Sequence, residues 1–293
     1  RSVLASPMAV ASSIATRTSR IRIGLAVQVL PLTNPLRIAE EAATVDHISG
    51  GRFNFGIGRS GLTKYYEGYN VPYSESRGRF LESLDVIMKG WSSDRLSHEG
   101  AFFSFHDVAV VPRPYQKPYP PTRVAVAGED TFPLIGRMGH PIFISANTAT
   151  PVLQERLGLY RKAKQDAGHF GVDDVALRIP VYVAETTQKA YAEPEASAMH
   201  AVQYGARELS LTAASPEGAD RLRRMANTSY EDILRERVMY GTPDAVAERI
   251  QEYREELGIS SVVLEMNYGG RIPYDLVINS VRLLAEKVMP KFK

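Results

Sequence analysis

Short apolar segments alternate with capped helical segments along this chain, and that alternation restricts its fold more than any single motif. Residues 21–30 (IRIGLAVQVL), 52–57 (RFNFGI), 123–127 (RVAVA), 141–145 (PIFIS), 177–183 (LRIPVYV) and 261–266 (SVVLEM) are short, apolar and rich in β-branched residues. Most lack the polar alternation of a half-exposed strand, so they read as strands covered on both faces. Between them, Ser6-Pro7, Asn34-Pro35, Thr150-Pro151 and Thr242-Pro243 each set an N-cap residue before a proline suited to the first helical position. Those pairs open helices through MAVASSIATRT, through LRIAEEAATVDHIS, to Ala167 and to Leu257, and further helices are expected over 75–91, 131–138 and 273–288. In the second of these, Leu36, Ala39, Ala43 and Ile48 share a face. Covered strands alternating with helices imply a parallel α/β sheet with right-handed crossovers.

Two architectures fit that pattern. A doubly wound dinucleotide fold opens with a glycine-rich first turn and an acidic residue about 20 positions on; neither is present. A (β/α)8 TIM barrel needs eight strands in about 250 residues. Only six are counted in these 293 residues. The expectation is therefore one barrel domain over 1–293 whose first two strands lie upstream of Arg1. A hairpin over 96–111 and the connector PRPYQKPYPP interrupt the rhythm, 61–74 reads as a tyrosine-bearing loop, and 187–239 as a long helical and irregular region. Within the last, 205–229 mixes Ser, Pro, Gly and charges with little periodicity and is expected to form a lid at the C-terminal end of the strands.

The charge balance removes whole classes of partner. A net charge of +2 with both signs interspersed leaves no basic footprint for nucleic acid. No run of 18 apolar residues occurs, so no membrane span is expected. The absence of cysteine rules out disulfides and thiolate chemistry and suits a reducing cytoplasm. His47 falls near a helix C-terminus, where a cation is favourable, and reads as structural. His98 and His106 are not spaced as ligands, so no metal is expected.

Chemistry is signalled where the strand in GGRFNFGIGRS ends. Gly56, Gly58 and Gly61 bracket Arg59 and Ser60, which allows close backbone approach beside a cation whose fork of donors suits phosphate or carboxylate. Gly128 to Thr131 joins another strand to a helix start, where amides and the macrodipole favour an anion. Tyr65 and Tyr66 follow the first segment and Asn267 follows the last strand; these are candidates for a substrate pocket.

At this point the chain resembles the bacterial luciferase-like flavin-dependent monooxygenase family. The likeness is carried by SPMAVASSIATRTSRIRIGLAVQVLPLTNPLRIAEEAATVDHISGGRFNFGIGRS, ESRGRFLESLDVI, VVPRPYQKPYPPTRVAVAGEDTF, GTPDAVAERI and GGRIPYDLVINSVRLLAEKVMP, in the family's order. The resemblance implies a barrel that binds reduced FMN, supplied by a separate flavin reductase, and uses dioxygen on a small aldehyde, ketone or similar substrate. It makes Arg59 the arginine near the flavin phosphate and Thr131 a phosphate contact. Ala127, Gly128 and Glu129 fall on the phosphate loop, and Gly58 lies at the cofactor. Ala26 and Val27 match a pair joined by a non-proline cis peptide under the flavin ring. Arg77 is a second arginine of the pattern, and the family's active-site histidine is expected upstream of Arg1. A homodimer through the Ala/Ser-rich helix that starts at Pro7 is expected. Two other functions fit the same resemblance: deazaflavin-dependent hydride transfer, and a non-catalytic flavin-binding partner subunit.

Overall fold

A computed structural model describes residues 6–210 and 227–292. The chain divides into two compact units, one up to Ala125 and the other from Val126.

In the first unit the elements run α1 (Pro7–Arg17), β1 (Ile23–Gly24), β2 (Gln28–Val29), α2 (Pro35–Ile48), β3 (Phe53–Gly58), α3 (Thr63–Gly68), α4 (Ser76–Ser92), β4 (Leu96–Glu99), β5 (Ser104–Val108) and β6 (Thr122–Ala125). β3 is the centre. It runs parallel to β1 through Ile23 opposite Phe53, to β2 through Gln28 opposite Ile57, and to β6 through Thr122 opposite Phe55. The expected single strand over 21–30 is two short strands, broken at Leu25 to Val27, where the Ala26–Val27 peptide is cis. The loop expected at 61–74 contains α3, while β4 and β5 form the expected antiparallel hairpin. On α2 the buried stripe is Ile38, Ala39, Ala42, Ala43 and Val45, with Ile48 43% exposed. The stripe thus sits one step round the helix from the face expected, because a run of alanines marks a buried face weakly.

The second unit continues with α5 (Thr131–Met138), β7 (Ile142–Ser145), α6 (Thr150–Asp166), β8 (Val175–Val183), α7 (Thr187–Ala192), α8 (Glu195–Ser210), α9 (Tyr230–Glu236), β9 (Met239–Gly241), α10 (Pro243–Leu257), β10 (Ser261–Glu265) and α11 (Tyr274–Leu283). Here β8 is central, parallel to β7, β9 and β10. β9 falls inside the region expected to be helical and irregular; three residues are too few to show a period. The expected lid therefore lies between β8 and β9, and its residues 211–226 lie outside the described residues. β10 is half-buried along its length instead of covered on both faces.

The cap signals act locally, as they must. Asn34 accepts from the Leu36 amide and Thr242 from the Ala245 amide. Ser6 occupies its cap without a side-chain bond, and Thr150 is the first helical residue, with Ala149 in the cap position.

One arginine ties the start of the first unit together. Arg52 donates from Nε to Ser49 O at 2.8 Å, from Nη1 to Thr18 Oγ1 at 3.0 Å and Ile21 O at 2.7 Å, and from Nη2 to Ala15 O and Thr18 O, each at 2.9 Å. The acceptors of Ala15, Thr18 and Ile21 end α1 and lead into β1, while Ser49 O closes α2, so the guanidinium satisfies acceptors that both helix ends leave open. Arg52→Ala should lower stability by about 2 kcal/mol, since charged hydrogen bonds and several orphaned carbonyls are lost together. Arg52→Lys should recover less than half of that loss, because an ammonium cannot reproduce the planar fork. Urea midpoints of the three proteins measure both effects.

Candidate functional site

The C-terminal end of β3 is built around a missing side chain. A Cβ on Gly58 would lie 2.7 Å from Val27 Cγ2 and 3.4 Å from Ala125 Cβ, so only glycine lets β3 pass beside the Ala26–Val27 peptide. Ala26, Val27 and Gly58 are thereby brought together. Arg59 follows directly and is half-buried. Its Nη1 donates to the buried Ser76 Oγ at 3.0 Å, and its guanidinium lies 5.9 Å from the centroid of the Tyr73 ring. That is its one side-chain hydrogen bond among the described residues, which leaves most of the fork for another acceptor.

Tyr66, expected at the wall of a substrate pocket, has a different job. It is fully buried, its ring meets Tyr73 edge to face at 5.1 Å, and its hydroxyl donates to the Arg59 carbonyl. Burial pushes its phenol up to about 12 against the opposing pull of the Arg59 charge, so it stays a neutral donor. Tyr65, on the same helix, is half-buried. Arg77 is exposed in the first turn of α4. His47 Nε2 bonds the Arg113 carbonyl at 2.7 Å, His98 lies 3.3 Å from Glu82, and His106 is exposed on β5. Among the described residues no group of three metal-binding side chains occurs.

In the second unit, Ala127 to Asp130 form an exposed segment leading into α5. The Thr131 amide donates to Gly128 O at 3.0 Å and the Phe132 amide to Glu129 O at 3.3 Å. The Thr131 donor, expected to be open, is thus spent with that of Phe132 on a tight turn. The amides of Gly128 and Glu129 donate to nothing among the described residues and are the ones available to an anion. Arg156 of α6 was not singled out by its sequence context. Its Nη1 donates to Ala127 O at 2.9 Å, while its Nε is buried without a partner among the described residues. A cation is thus fixed beside the segment by a contact 29 residues away in the chain, which no local motif encodes. Asn267 stands apart from this group: its Oδ1 accepts from the Ile272 amide at 3.0 Å and closes a turn through Gly269 and Gly270.

The family model for luciferase-like monooxygenase matches residues 1–261. The chain belongs to the luciferase-like monooxygenase family. An uncharacterised protein of Sinorhizobium fredii is 38% identical over 41% of the chain, a match spanning 35% of that protein's length. Limonene 1,2-monooxygenase of Rhodococcus erythropolis is 27% identical over 99% of the chain and 74% of its own length. Among solved structures, the monooxygenase RslO1 from Streptomyces bottropensis superposes with a TM-score of 0.80 at 27% identity, covering 98% of this chain and 83% of that one. The oxygenating constituent of 3,6-diketocamphane monooxygenase of Pseudomonas putida, in complex with FMN, also gives 0.80, at 19% identity over 98% and 84%. A coenzyme F420-dependent tetrahydromethanopterin reductase from Methanopyrus kandleri gives 0.74 at 18% identity over 98% and 88%. The fold is accordingly the α/β, TIM-barrel-like fold of this luciferase-like family.

The contact between Gly58 and Val27 makes a direct prediction. Gly58→Ala should cost about 1–3 kcal/mol through overpacking, and Val27→Ala in the same chain should restore part of that loss. Chemical denaturation of the wild type, both single variants and the double variant closes the cycle; strict additivity would show that the two positions do not touch.

Proposed function

We propose that the protein is a flavin-dependent monooxygenase that takes reduced FMN from a separate reductase and uses dioxygen to oxidise a small organic substrate such as an aldehyde or ketone. The observation that carries this reading is the likeness to limonene 1,2-monooxygenase along 99% of the chain. When bound, reduced flavin supplies the electrons with which dioxygen is activated, one oxygen atom going to the substrate and the other to water.

What the chain itself contributes is placement. Gly58, lacking a Cβ, and the Ala26–Val27 peptide leave a narrow backbone surface suited to a flat ring. Arg59, steadied by Ser76 and by Tyr66 through its carbonyl, offers a cation to the phosphate. In the second unit, the amides of Gly128 and Glu129 and the nearby Arg156 form a donor set of the kind a phosphate takes, and the proposed Thr131 contact requires its hydroxyl to turn from Asp130 Oδ1, to which it donates at 3.4 Å. Tyr65 and Asn267 remain the proposed substrate contacts. We place the enzyme in the cytoplasm, in keeping with a chain without cysteine. We also propose a homodimer that uses the exposed side of α1, where Ala9, Ser13 and Ile14 permit close helix approach.

Arg59→Ala should weaken FMN by roughly 10- to 100-fold and riboflavin hardly at all, the loss of one charge-assisted contact to phosphate being worth about 1.5–3 kcal/mol. Fluorescence titration with both ligands reads this, and equal weakening would remove Arg59 from the phosphate. Tight binding of a deazaflavin with none of FMN in the same assay would favour hydride transfer. Sedimentation at micromolar concentration should return twice the 32.4 kDa chain mass.

A further inference from the structure

Four tyrosines of the second unit gather around β9. Tyr182 of β8 stands opposite Tyr240 of β9, and their rings meet edge to face at 6.2 Å. Tyr230, at the start of α9, and Tyr268, just past β10, pack on the same apolar cluster. A buried phenol is tolerated where its hydroxyl finds an acceptor. Two of these do: Tyr182 donates to Glu193 Oε2 at 2.5 Å and Tyr230 to the Tyr191 carbonyl. Tyr240 does not. It is only 7% exposed, and its hydroxyl is buried without a hydrogen-bond partner among the described residues. The Tyr268 hydroxyl likewise makes no hydrogen bond among the described residues.

Charged groups stand at the same level of the sheet. β8 sets Pro180 opposite Glu265 and Val181 opposite Met239, so Glu265, Arg178 and the residues around Met239 occupy neighbouring rungs. Arg178 pairs with Glu265. Arg237, the half-buried C-cap of α9 and two residues ahead of β9, makes no side-chain hydrogen bond or ion pair among the described residues. Among the described residues, Arg237 and Arg178 stand against one carboxylate, Glu265, around the Tyr268 phenol, and Glu265 also faces the neighbouring Tyr240 phenol. Burial, and then the nearby Glu265, raise the Tyr268 phenol above its ordinary value, with Arg237 and Arg178 opposing; burial raises Tyr240 as well. Both phenols are therefore hydrogen-bond donors at neutral pH.

We propose that Arg237, Tyr240 and Tyr268, flanked by the Arg178–Glu265 pair, form a binding subsite for the carboxylate of a small organic ligand. One surplus charge and two phenol donors match a monoanion, whereas a phosphate dianion would face the Glu265 carboxylate at close range. The group lies toward the C-terminal end of β8, the end at which barrel enzymes build their sites. That the ligand is the substrate rests on the oxygenase reading above; the subsite itself does not.

Benzoate and benzamide are matched probes, the same flat ring with and without the charge, and calorimetric titration of the full chain without flavin measures both. Benzoate should bind at least about tenfold more tightly than benzamide. Arg237→Gln should abolish that preference while leaving the melting temperature unchanged, since the guanidinium bonds nothing among the described residues. Tyr240→Phe should weaken benzoate several-fold. Equal binding of the two probes, no benzoate binding at about 10 mM, or a Tyr240→Phe variant that melts higher and binds benzoate as before would overturn the proposal; the last result would make the hydroxyl the partner of a structural water. Benzoate selectivity in a protein that fails to bind FMN would sustain the subsite and sink the oxygenase reading.

Discussion

A backbone buried on both faces must find all its hydrogen bonds in its neighbours, and each unit of this protein depends on one strand that meets that demand. In the first unit it is β3, with Phe53, Phe55 and Ile57 fully buried and parallel partners in β1, β2 and β6. In the second it is β8, buried at every residue but Arg178, with β7, β9 and β10 along it. Such strands have no room for a side chain with an unmet need. Polar chemistry is displaced to strand ends and to the loops that follow, where Arg59 and Ser60 stand after β3 and Tyr268 after β10.

Residue type alone does not separate the arginines that build from those that bind. Arg52 has spent its whole fork on four carbonyls and the Thr18 hydroxyl at the ends of α1 and α2 and before β1. Arg59 has spent a single donor on Ser76, and Arg237 none among the described residues. The same distinction explains His98. It faces Glu82, whose carboxylate also accepts from the Phe102 amide at 3.1 Å and the Phe103 amide at 2.8 Å. Burial alone would raise the Glu82 pKa, but the bonds from Phe103, Phe102 and His98 outweigh it and hold the carboxyl below its ordinary value. Its stabilisation of the hairpin is therefore present at neutral pH and is lost as the pH falls through the carboxylate range. His98 and Glu82 together are an anchor for the β4–β5 turn.

Glycine shows how a small omission can position chemistry. Gly58 has an ordinary backbone conformation and is required because Val27 occupies the space its Cβ would take. Arg59 next to it inherits a fixed exit from the strand, and the buried Tyr66 hydroxyl holds its carbonyl. A packing constraint at one residue therefore sets the direction of the next residue's charge.

The alternation of covered strands and capped helices, the hairpin over 96–111, and the helices opened by Asn34-Pro35 and Thr242-Pro243 were determined by the sequence, because caps, proline and hydrophobic period act over a few neighbouring residues. So was the position of Arg59 at the end of a glycine-bearing strand. Only the tertiary structure decided that 21–30 is two strands, that β9 exists, and that Tyr66 is buried under Arg59. It alone brought Arg156 to Ala127 and left the Tyr240 hydroxyl without a partner among the described residues. Apart from the Tyr66–Arg59 contact, seven residues apart, these depend on what a residue meets across tens of positions of chain, and contacts of that separation are set by packing and leave no local pattern to read.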